Sequence, residues 1–201
     1  MCGIAGIIQD HSDDSRVDIV EQMLTRIAHR GPDESGIYHS RRATIGNVRL
    51  SIIDIAGGQQ PIPDSSGRYW IVFNGEIFNY IELRKDLEKL GCNFTTKSDT
   101  EVLVYMYARY GKDMVSKLNG QFAFAVWDNL EKELFMARDR LGIRPLFYYQ
   151  SDTNFAFASE IKSLLEWPEI RTGFSPLALA QNFTFWTTLT PNTVFENIYE
   201  L

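Results

Sequence analysis

The chain alternates between short apolar runs and longer stretches in which apolar residues recur at helical spacing. Residues 4–8 form a continuous apolar run, which is typical of a buried strand. Between 17 and 29 the apolar positions have helical spacing, and the turn residues 29–33 end the predicted helix. Residues 37–53 are predicted to form strands with turns between them, and a loop is predicted over 56–61.

The second part of the chain carries clear turn and capping signals. Asn74-Gly75 lies between two apolar runs, which is the pattern of a hairpin turn. The capping-box spacings Asn79-x-x-Glu82 and Ser98-x-x-Glu101 predict helices over 80–90 and up to Tyr110. Strands are predicted over 122–128, 134–138, 147–149 and 155–158, and helices over 160–165 and 176–183. Hairpin-linked strands with grouped helices favour an α+β fold with antiparallel sheets over a doubly wound fold.

Composition and charge narrow the range of functions. The chain has 201 residues, 44% of them hydrophobic, which is enough for a substantial core without a disulfide or metal. The net charge of −6 argues against a nucleic-acid or membrane partner. Only two cysteines are present, which predicts a reducing, cytoplasmic setting without a disulfide framework. No secretory signal, membrane span, dinucleotide loop or nucleoside-triphosphate loop is recognisable.

Cys2 has an unusual position, directly after the initiator methionine. If an aminopeptidase removes Met1, one residue carries both a thiol and a free α-amine. The amine has a reference pKa near 8, so it can accept the thiol proton directly or through one water. The alternative is that Cys2 is a small apolar residue at the start of a strand.

Three other clusters would complete an acyl-transfer site. Asn74 and Gly75 could present an amide group and a backbone N–H as an oxyanion hole, although a plain hairpin explains them equally. Arg49 could hold a carboxylate, although an arginine on a strand is usually solvated. An acid of Ser98-Asp99-Thr100-Glu101 could bind an ammonium group, although acids also favour helix N-termini. Together these groups suit a free amino acid with a side-chain acyl group, such as glutamine.

A family resemblance rests on long motifs that occur in a fixed order over residues 2–165. Together they resemble the glutaminase domain of glutamine-dependent asparagine synthetases, a class II glutamine amidotransferase within the N-terminal-nucleophile hydrolases. The motifs are Met1-Cys2-Gly3-Ile4, His29-Arg30-Gly31-Pro32-Asp33, Arg49-Leu50-Ser51-Ile52, Phe73-Asn74-Gly75-Glu76, Ser98-Asp99-Thr100-Glu101, Arg138-Asp139-Arg140-Leu141-Gly142-Ile143-Arg144-Pro145-Leu146 and Phe157-Ala158-Ser159-Glu160-Ile161-Lys162.

The resemblance implies a fold and a role for each matching residue. The fold is a four-layer αββα sandwich, with two antiparallel sheets between helix layers. Cys2 matches the nucleophile, and its amine matches the base. Asn74 and Gly75 match the oxyanion hole, and Arg49 matches the residue that holds the glutamine carboxylate. The remaining matches are Leu50, Ser51, Ile52 and Ile53 as pocket lining through their backbone, and Glu76 and Asp99 at the glutamine amino group.

The resemblance also implies a longer enzyme. Residues 1–185 would be the amidotransferase domain and 186–201 the start of a linker toward an ATP-dependent synthetase domain. ATP and magnesium are expected only in that second domain, which would use the ammonia to amidate activated aspartate, and a homodimer is left open. One alternative is the glutaminase half of an enzyme that makes an amino sugar, a phosphoribosylamine or an amidated cell-surface metabolite. A non-catalytic amino-acid-binding relative and a Cys2–His29 dyad are further alternatives.

Overall fold

The computed structural model describes residues 2–11 and 13–201, and this part of the chain forms two antiparallel sheets with helices on their outer faces. The strands are β1 (Gly3–Gln9), β2 (Glu34–His39), β3 (Ala43–Arg49), β4 (Ile62–Pro63), β5 (Tyr69–Ile77), β6 (Gly120–Asp128), β7 (Glu133–Arg138), β8 (Phe147–Gln150), β9 (Asn154–Ala158) and β10 (Ile198–Glu200). The six-stranded sheet has the order β10-β8-β9-β1-β3-β2, and the four-stranded sheet has the order β4-β5-β6-β7. The helices are α1 (Ser15–Arg26), α2 (Tyr80–Lys89), α3 (Asp99–Tyr110), α4 (Ile161–Leu164) and α5 (Pro176–Phe185), with short 3-10 turns at Ala28–Arg30 and Gly111–Lys117.

The two-residue period of the central strands creates the layers. In β6, Phe124 and Val126 pack with α3 on one face, while Ala125 and Trp127 face the other sheet. The six-stranded sheet is built in the same way, because Ile7 of β1 packs against α1 while Ile4 points between the sheets. The layers therefore stack as helix, sheet, sheet and helix, with one hydrophobic core between each pair of neighbouring layers. This arrangement confirms the predicted α+β four-layer sandwich.

The prediction of a hairpin turn at Asn74-Gly75 is wrong. Both residues lie within the continuous strand β5, where Asn74 pairs with Ala123 and Gly75 with Phe122 of β6. The neighbouring apolar residues find partners along β6 over nine consecutive register positions, from Tyr69 to Ile77. This long ladder outweighs the local preference of Asn-Gly for a turn, and it carries Asn74 into the interior with no exposed surface.

The two predicted capping boxes have different outcomes. Ser98 caps α3 by accepting a hydrogen bond from the Thr100 N–H at 3.1 Å, whereas Glu101 bonds to Thr95 and Thr96 instead of closing the box. Asn79 makes no cap hydrogen bond to α2. Its amide bridges to the backbone of residues 117 and 119, so it ties the start of α2 to the approach to β6.

The last residues return to the six-stranded sheet. β10 pairs with β8, and Glu200 lies opposite Phe147. Preceding β10, α5 exposes several large apolar side chains, and Trp186 at its C-terminal end is 92% exposed. The boundary between a domain over 1–185 and a linker over 186–201 stays a prediction.

Candidate active site

One pocket lies where the inner faces of the two sheets reach an open end of the sandwich. It encloses about 590 Å³, including space open to solvent. Side chains two residues apart in a strand point to the same face of the sheet. Cys2 is two residues from Ile4, and Asn74 is two residues from Val72, and both Ile4 and Val72 point between the sheets. Cys2 and Asn74 therefore face the same space. The lining residues are Cys2, Arg49, Leu50, Ile52, Ile53, Gln60, Phe73, Asn74, Gly75, Glu76, Ser98, Asp99, Thr100 and Arg144.

Cys2 is held through its backbone just before β1. The Cys2 carbonyl accepts a hydrogen bond from Arg30 Nε at 3.0 Å, and Arg30 is itself paired with Glu160 at 2.9 Å. The Cys2 thiol lies 3.8 Å from the Leu50 carbonyl oxygen. Burial raises the pKa of the Cys2 thiol, and the nearby Arg49 opposes this rise only in part. Forming the thiolate therefore requires a base. Met1, whose removal would expose the amine, lies outside the described residues.

The Asn74 side chain is buried without a partner. It has no exposed surface, and neither its Nδ2 nor its Oδ1 makes a hydrogen bond within the described part of the chain. A buried amide without partners is costly, which makes such groups uncommon in folded proteins. Asn74 lines the same pocket as Cys2, which makes its N–H₂ group available to a bound ligand.

The strand geometry directs the Gly75 N–H toward the same pocket. The Phe73 N–H donates to the Gln60 side chain at 2.7 Å and the Ile77 N–H to Asp99 at 3.2 Å, so both groups point away from β6. Backbone groups two residues apart in a strand point the same way, so the Gly75 N–H also points away from β6. β4 pairs only as far as Ile71, so no strand covers this edge of β5 at Gly75.

Arg49 is buried rather than solvated, with 4% of its surface exposed. Its Nη1 donates to Glu34 at 2.7 Å, and its Nη2 donates to the carbonyls of Ile53 and Asp54, both at 2.8 Å. These bonds fold the segment after β3 around the guanidinium. The Arg49 Nε makes no hydrogen bond within the described residues, so it remains available to a substrate carboxylate.

The acids of the pocket differ in exposure. Asp99 is buried at the start of α3, and burial raises its pKa to about 6, with a further contribution from the charge of Glu76. The Ile77 and Thr100 N–H groups oppose this rise. Glu76 is exposed at the pocket rim. The two carboxylates together give this side of the pocket the charge to receive an ammonium group.

The segment after Arg49 contributes three of its four predicted lining residues. Leu50, Ile52 and Ile53 line the pocket, and Ile52 remains 71% exposed. Ser51 is not among the lining residues, because its N–H bonds to Asp33 at 2.8 Å. The structure thus brings every other predicted site residue to one pocket.

The sequence analysis missed several lining residues. Gln60 bridges the Phe73 N–H and the Thr100 hydroxyl through its buried amide, and it was assigned only to a loop. Arg144 belongs to a quoted motif, but nothing in its local pattern indicates a pocket. Both reach the pocket from segments remote in sequence, so no spacing rule could have identified them.

His29 interacts with Glu160 rather than with the thiol. Its Nε2 lies 2.9 Å from a Glu160 carboxylate oxygen, next to the Arg30–Glu160 pair. Hydrogen bonds from Arg30, Lys162 and His29 hold the pKa of Glu160 below its usual range although burial acts to raise it. His29 thus belongs to the scaffold that holds the Cys2 carbonyl.

Outside Met1 and Ser12, no group of three or more His, Cys, Asp or Glu side chains could hold a metal ion. Over the same residues, no helix combines the length and the apolar character needed to cross a bilayer.

Solved structures with the same fold define the class of protein. The glutamine phosphoribosylpyrophosphate amidotransferase from B. subtilis, complexed with ADP and GMP, superposes with a TM-score of 0.68 at 25% identity, over 81% of this chain and 43% of that one. An allosteric regulatory enzyme of purine biosynthesis gives 0.69 at 26% identity, over 82% and 43%. The fold is therefore that of the N-terminal-nucleophile amidotransferases.

The sequence assigns the family directly. Residues 1–201 match the family described as glutamine amidotransferase domain, and the chain belongs to it. Glutamine-hydrolysing asparagine synthetase 1 of Bacillus subtilis (strain 168) is 46% identical over 82% of this chain and 27% of its own length. Asparagine synthetase 3 of the same organism is 39% identical over 100% and 33%. The chain thus spans about a quarter to a third of these relatives and is homologous to their glutaminase half.

Proposed function

We propose that this domain hydrolyses glutamine with Cys2 as nucleophile and delivers ammonia for asparagine synthesis. The observation that carries the proposal is the buried Asn74 amide, which has no partner among residues 2–11 and 13–201 and lines the same pocket as Cys2. A fold that bears the cost of an unpartnered amide at a pocket wall is arranged to bind a ligand there.

The chemistry begins with attack of the Cys2 thiolate on the side-chain amide carbon of glutamine. The carbonyl oxygen becomes an oxyanion, which accepts hydrogen bonds from Asn74 Nδ2 and the Gly75 N–H. Donors that are already oriented toward the developing charge need no reorganisation during the reaction, which is why such sites are effective.

The α-amine of Cys2 acts as the base once Met1 has been removed. It takes the thiol proton and then passes it to the nitrogen as the carbon–nitrogen bond breaks and ammonia leaves. Water then attacks the glutamyl thioester, which releases glutamate and restores the thiol. Burial raises the pKa of the Cys2 thiol, so a base next to the thiol favours formation of the thiolate.

Charged groups at both ends of the pocket recognise the backbone of the substrate amino acid. Asp99 and Glu76 face the ammonium group, and Arg49 faces the carboxylate with the backbone of residues 50–53 beside it. The bonds from Arg49 to Glu34 and the loop carbonyls hold the guanidinium in place, and its Nε is left to donate to the carboxylate.

The remainder of the enzyme follows the named relatives. We infer a domain over 1–185, a linker from 186, and a following synthetase domain in which ATP and magnesium activate aspartate. Ammonia from Cys2 would pass to that domain. The cytoplasm as location and a homodimer as assembly complete the proposal. The identities of 39–46% to asparagine synthetases, against 25–26% to the purine enzymes, favour aspartate over other acceptors.

The test uses the chain with Met1 removed and measures glutamate release from glutamine. Cys2→Ala should abolish release, whereas Cys92→Ala is a matched control, because Cys92 is the other free cysteine and packs beside the helix core away from the pocket. A chain that retains Met1 should be inactive because its Cys2 amine is acylated. Glutamate release that survives Cys2→Ala would refute the mechanism. Glutamine binding without turnover would favour the non-catalytic alternative.

A further inference from the structure

Arg144 is a charged residue at the pocket that the mechanism above does not use. It lines the pocket with Cys2 and Asn74. Its Nε is buried and finds no hydrogen-bond acceptor within the described part of the chain. A guanidinium with an unused buried donor at a substrate pocket is expected to meet the bound ligand, so whatever positions Arg144 affects turnover.

The loop that carries Arg144 is held from inside by Asp139. The Asp139 carboxylate accepts hydrogen bonds from the N–H groups of Ile143 at 3.0 Å and Arg144 at 3.1 Å, and from Phe122 of β6 at 3.1 Å. Burial opposes ionisation, yet these donors hold the pKa of Asp139 below its usual range. Phe122 pairs with Gly75, so the loop is tied to the strand that forms the oxyanion hole.

Arg138 holds the same loop through its carbonyl groups. Its Nε donates to the Arg144 carbonyl and its Nη2 to the Gly142 carbonyl, both at 2.6 Å. Gly142 has a φ of 62° and fits against the guanidinium, since a Cβ there would lie 3.0 Å from the central carbon of Arg138. Both the N–H and the C=O of Arg144 are therefore fixed.

Arg138 also bonds to the last strand, β10, and to the residue that follows it. Its Nη1 pairs with Glu200 at 2.7 Å and donates to the Leu201 carbonyl at 3.0 Å. The Arg138 side chain is 11% exposed, so the pair is largely shielded from solvent. Among the described strands β10, which has only three residues, pairs with β8 alone, so the Arg138–Glu200 pair adds a separate tie between β10 and β7.

We propose that Arg138 and Glu200 position Arg144 at the glutamine pocket and thereby link the placement of β10 to glutamine turnover. The inference rests on the proposed function. The three nitrogens of a guanidinium donate hydrogen bonds in three directions within one plane, so Arg138 can bond to the loop and to β10 at the same time. An ammonium group lacks this planar arrangement of donors. Movement of β10 would shift Glu200 and break its pair with Arg138 Nη1. The Arg138 side chain could then move and displace Arg144. Arg138 and Glu200 are positioning residues and do not touch substrate.

The experiment compares Arg138→Lys with Arg140→Lys in the Met1-free chain. Arg140 lies in the same loop, is exposed and makes no hydrogen bond or ion pair in the described structure, so it is a matched control. A displacement of about 1 Å can cost on the order of a hundredfold in rate, so kcat/KM should fall at least about tenfold in Arg138→Lys. Arg140→Lys should stay within about twofold of the parent, since it removes no bond.

A double-mutant cycle with Arg144→Met separates positioning from general loss of structure. If Arg138 acts through Arg144, adding Arg138→Lys to Arg144→Met should cause little further change in KM or kcat. Glu200→Gln should lower kcat/KM in the same direction as Arg138→Lys, and it decides the case if Arg138→Lys does not fold.

Two outcomes would overturn the inference while the parent remains active. In one, the kcat/KM values of Arg138→Lys and Glu200→Gln stay as close to the parent value as that of Arg140→Lys. In the other, the effects of Arg138→Lys and Arg144→Met multiply fully in the double variant. An inactive Met1-free parent would instead overturn the proposed function, and this inference with it.

Discussion

The unpartnered amide of Asn74 leads to a prediction in which stability and activity change in opposite directions. Asn74→Leu replaces the amide by an apolar group of similar size between the two sheets. The amide makes no hydrogen bond to any other described residue, so the substitution removes no bond that the structure shows. The inner faces around it are apolar, with Val72 and Ala123 among the core residues. The variant should therefore be more stable and much less active.

The magnitudes follow from the burial of the side chain. A buried unsatisfied polar group costs about 1–3 kcal/mol, and repacking a Leu of similar volume costs less than about 1.5 kcal/mol. The expected net gain is about 1 kcal/mol in the free energy of unfolding, which corresponds to a rise in Tm of about 2–4 °C for a domain of this size. Loss of one oxyanion donor should lower kcat by about 10²–10³.

Thermal unfolding and glutamate release in the Met1-free chain measure the two effects. Asn47→Leu is a control on β3: Asn47 is also buried and its Oδ1 also lacks a partner among the described residues, but its Nδ2 donates to the Phe73 carbonyl at 3.2 Å. That control should lower the Tm, since it leaves the carbonyl unpaired. A lower Tm in Asn74→Leu would mean that the amide supports the fold. An unchanged kcat would remove Asn74 from the oxyanion hole.

Three further outcomes are expected. In Gly75→Ala the new Cβ would meet the backbone of β6, so the free energy of unfolding should fall by about 1–3 kcal/mol in urea; an unchanged midpoint would contradict this close approach. Burial raises the pKa of Asp99 to about 6, so the folded state binds its proton more tightly than the unfolded chain, and stability should decline as pH rises from about 4 through 6. Asp99→Asn should remove that decline, and parallel pH–stability curves for parent and variant would show that the pKa is not raised. Arg49→Lys keeps the charge but cannot bridge Glu34 and the loop carbonyls, so KM for glutamine should rise about tenfold or more in steady-state assays, and an unaltered KM would exclude Arg49 from substrate binding.

Much of the fold could be predicted because its signals are local. The helix over Asp99–Tyr110 has a serine cap and ends at Gly111, and the strands over Gly120–Asp128 and Glu133–Arg138 follow from their apolar runs. The failure at Asn74-Gly75 is also informative. The turn preference of two residues is outweighed by the pairing of nine consecutive residues with β6. Because β6 is more than forty residues away in the sequence, no local pattern shows this pairing.

The residues of the candidate site also fall into two groups, those that the sequence could indicate and those that it could not. Cys2, Arg49, Asn74 and Asp99 could be nominated by residue type and family resemblance, and they meet at one pocket. Gln60 and the Arg138 network could not be nominated, because their roles depend on which remote backbone groups lie within hydrogen-bond distance. The position of Ser51 outside the pocket lining likewise follows from its bond to Asp33.

The sequence by itself determined the α+β class through short-range patterns and the chemistry available at Cys2 through residue type. The amidotransferase family came from the resemblance of its ordered motifs. Only the tertiary structure decided that Asn74 is buried without a partner, that the Gly75 N–H faces an uncovered sheet edge, and that Arg144 reaches the pocket. Those facts depend on strand register and on where neighbouring strands end. Register and strand ends are set by the packing of the whole sandwich, which no local pattern contains.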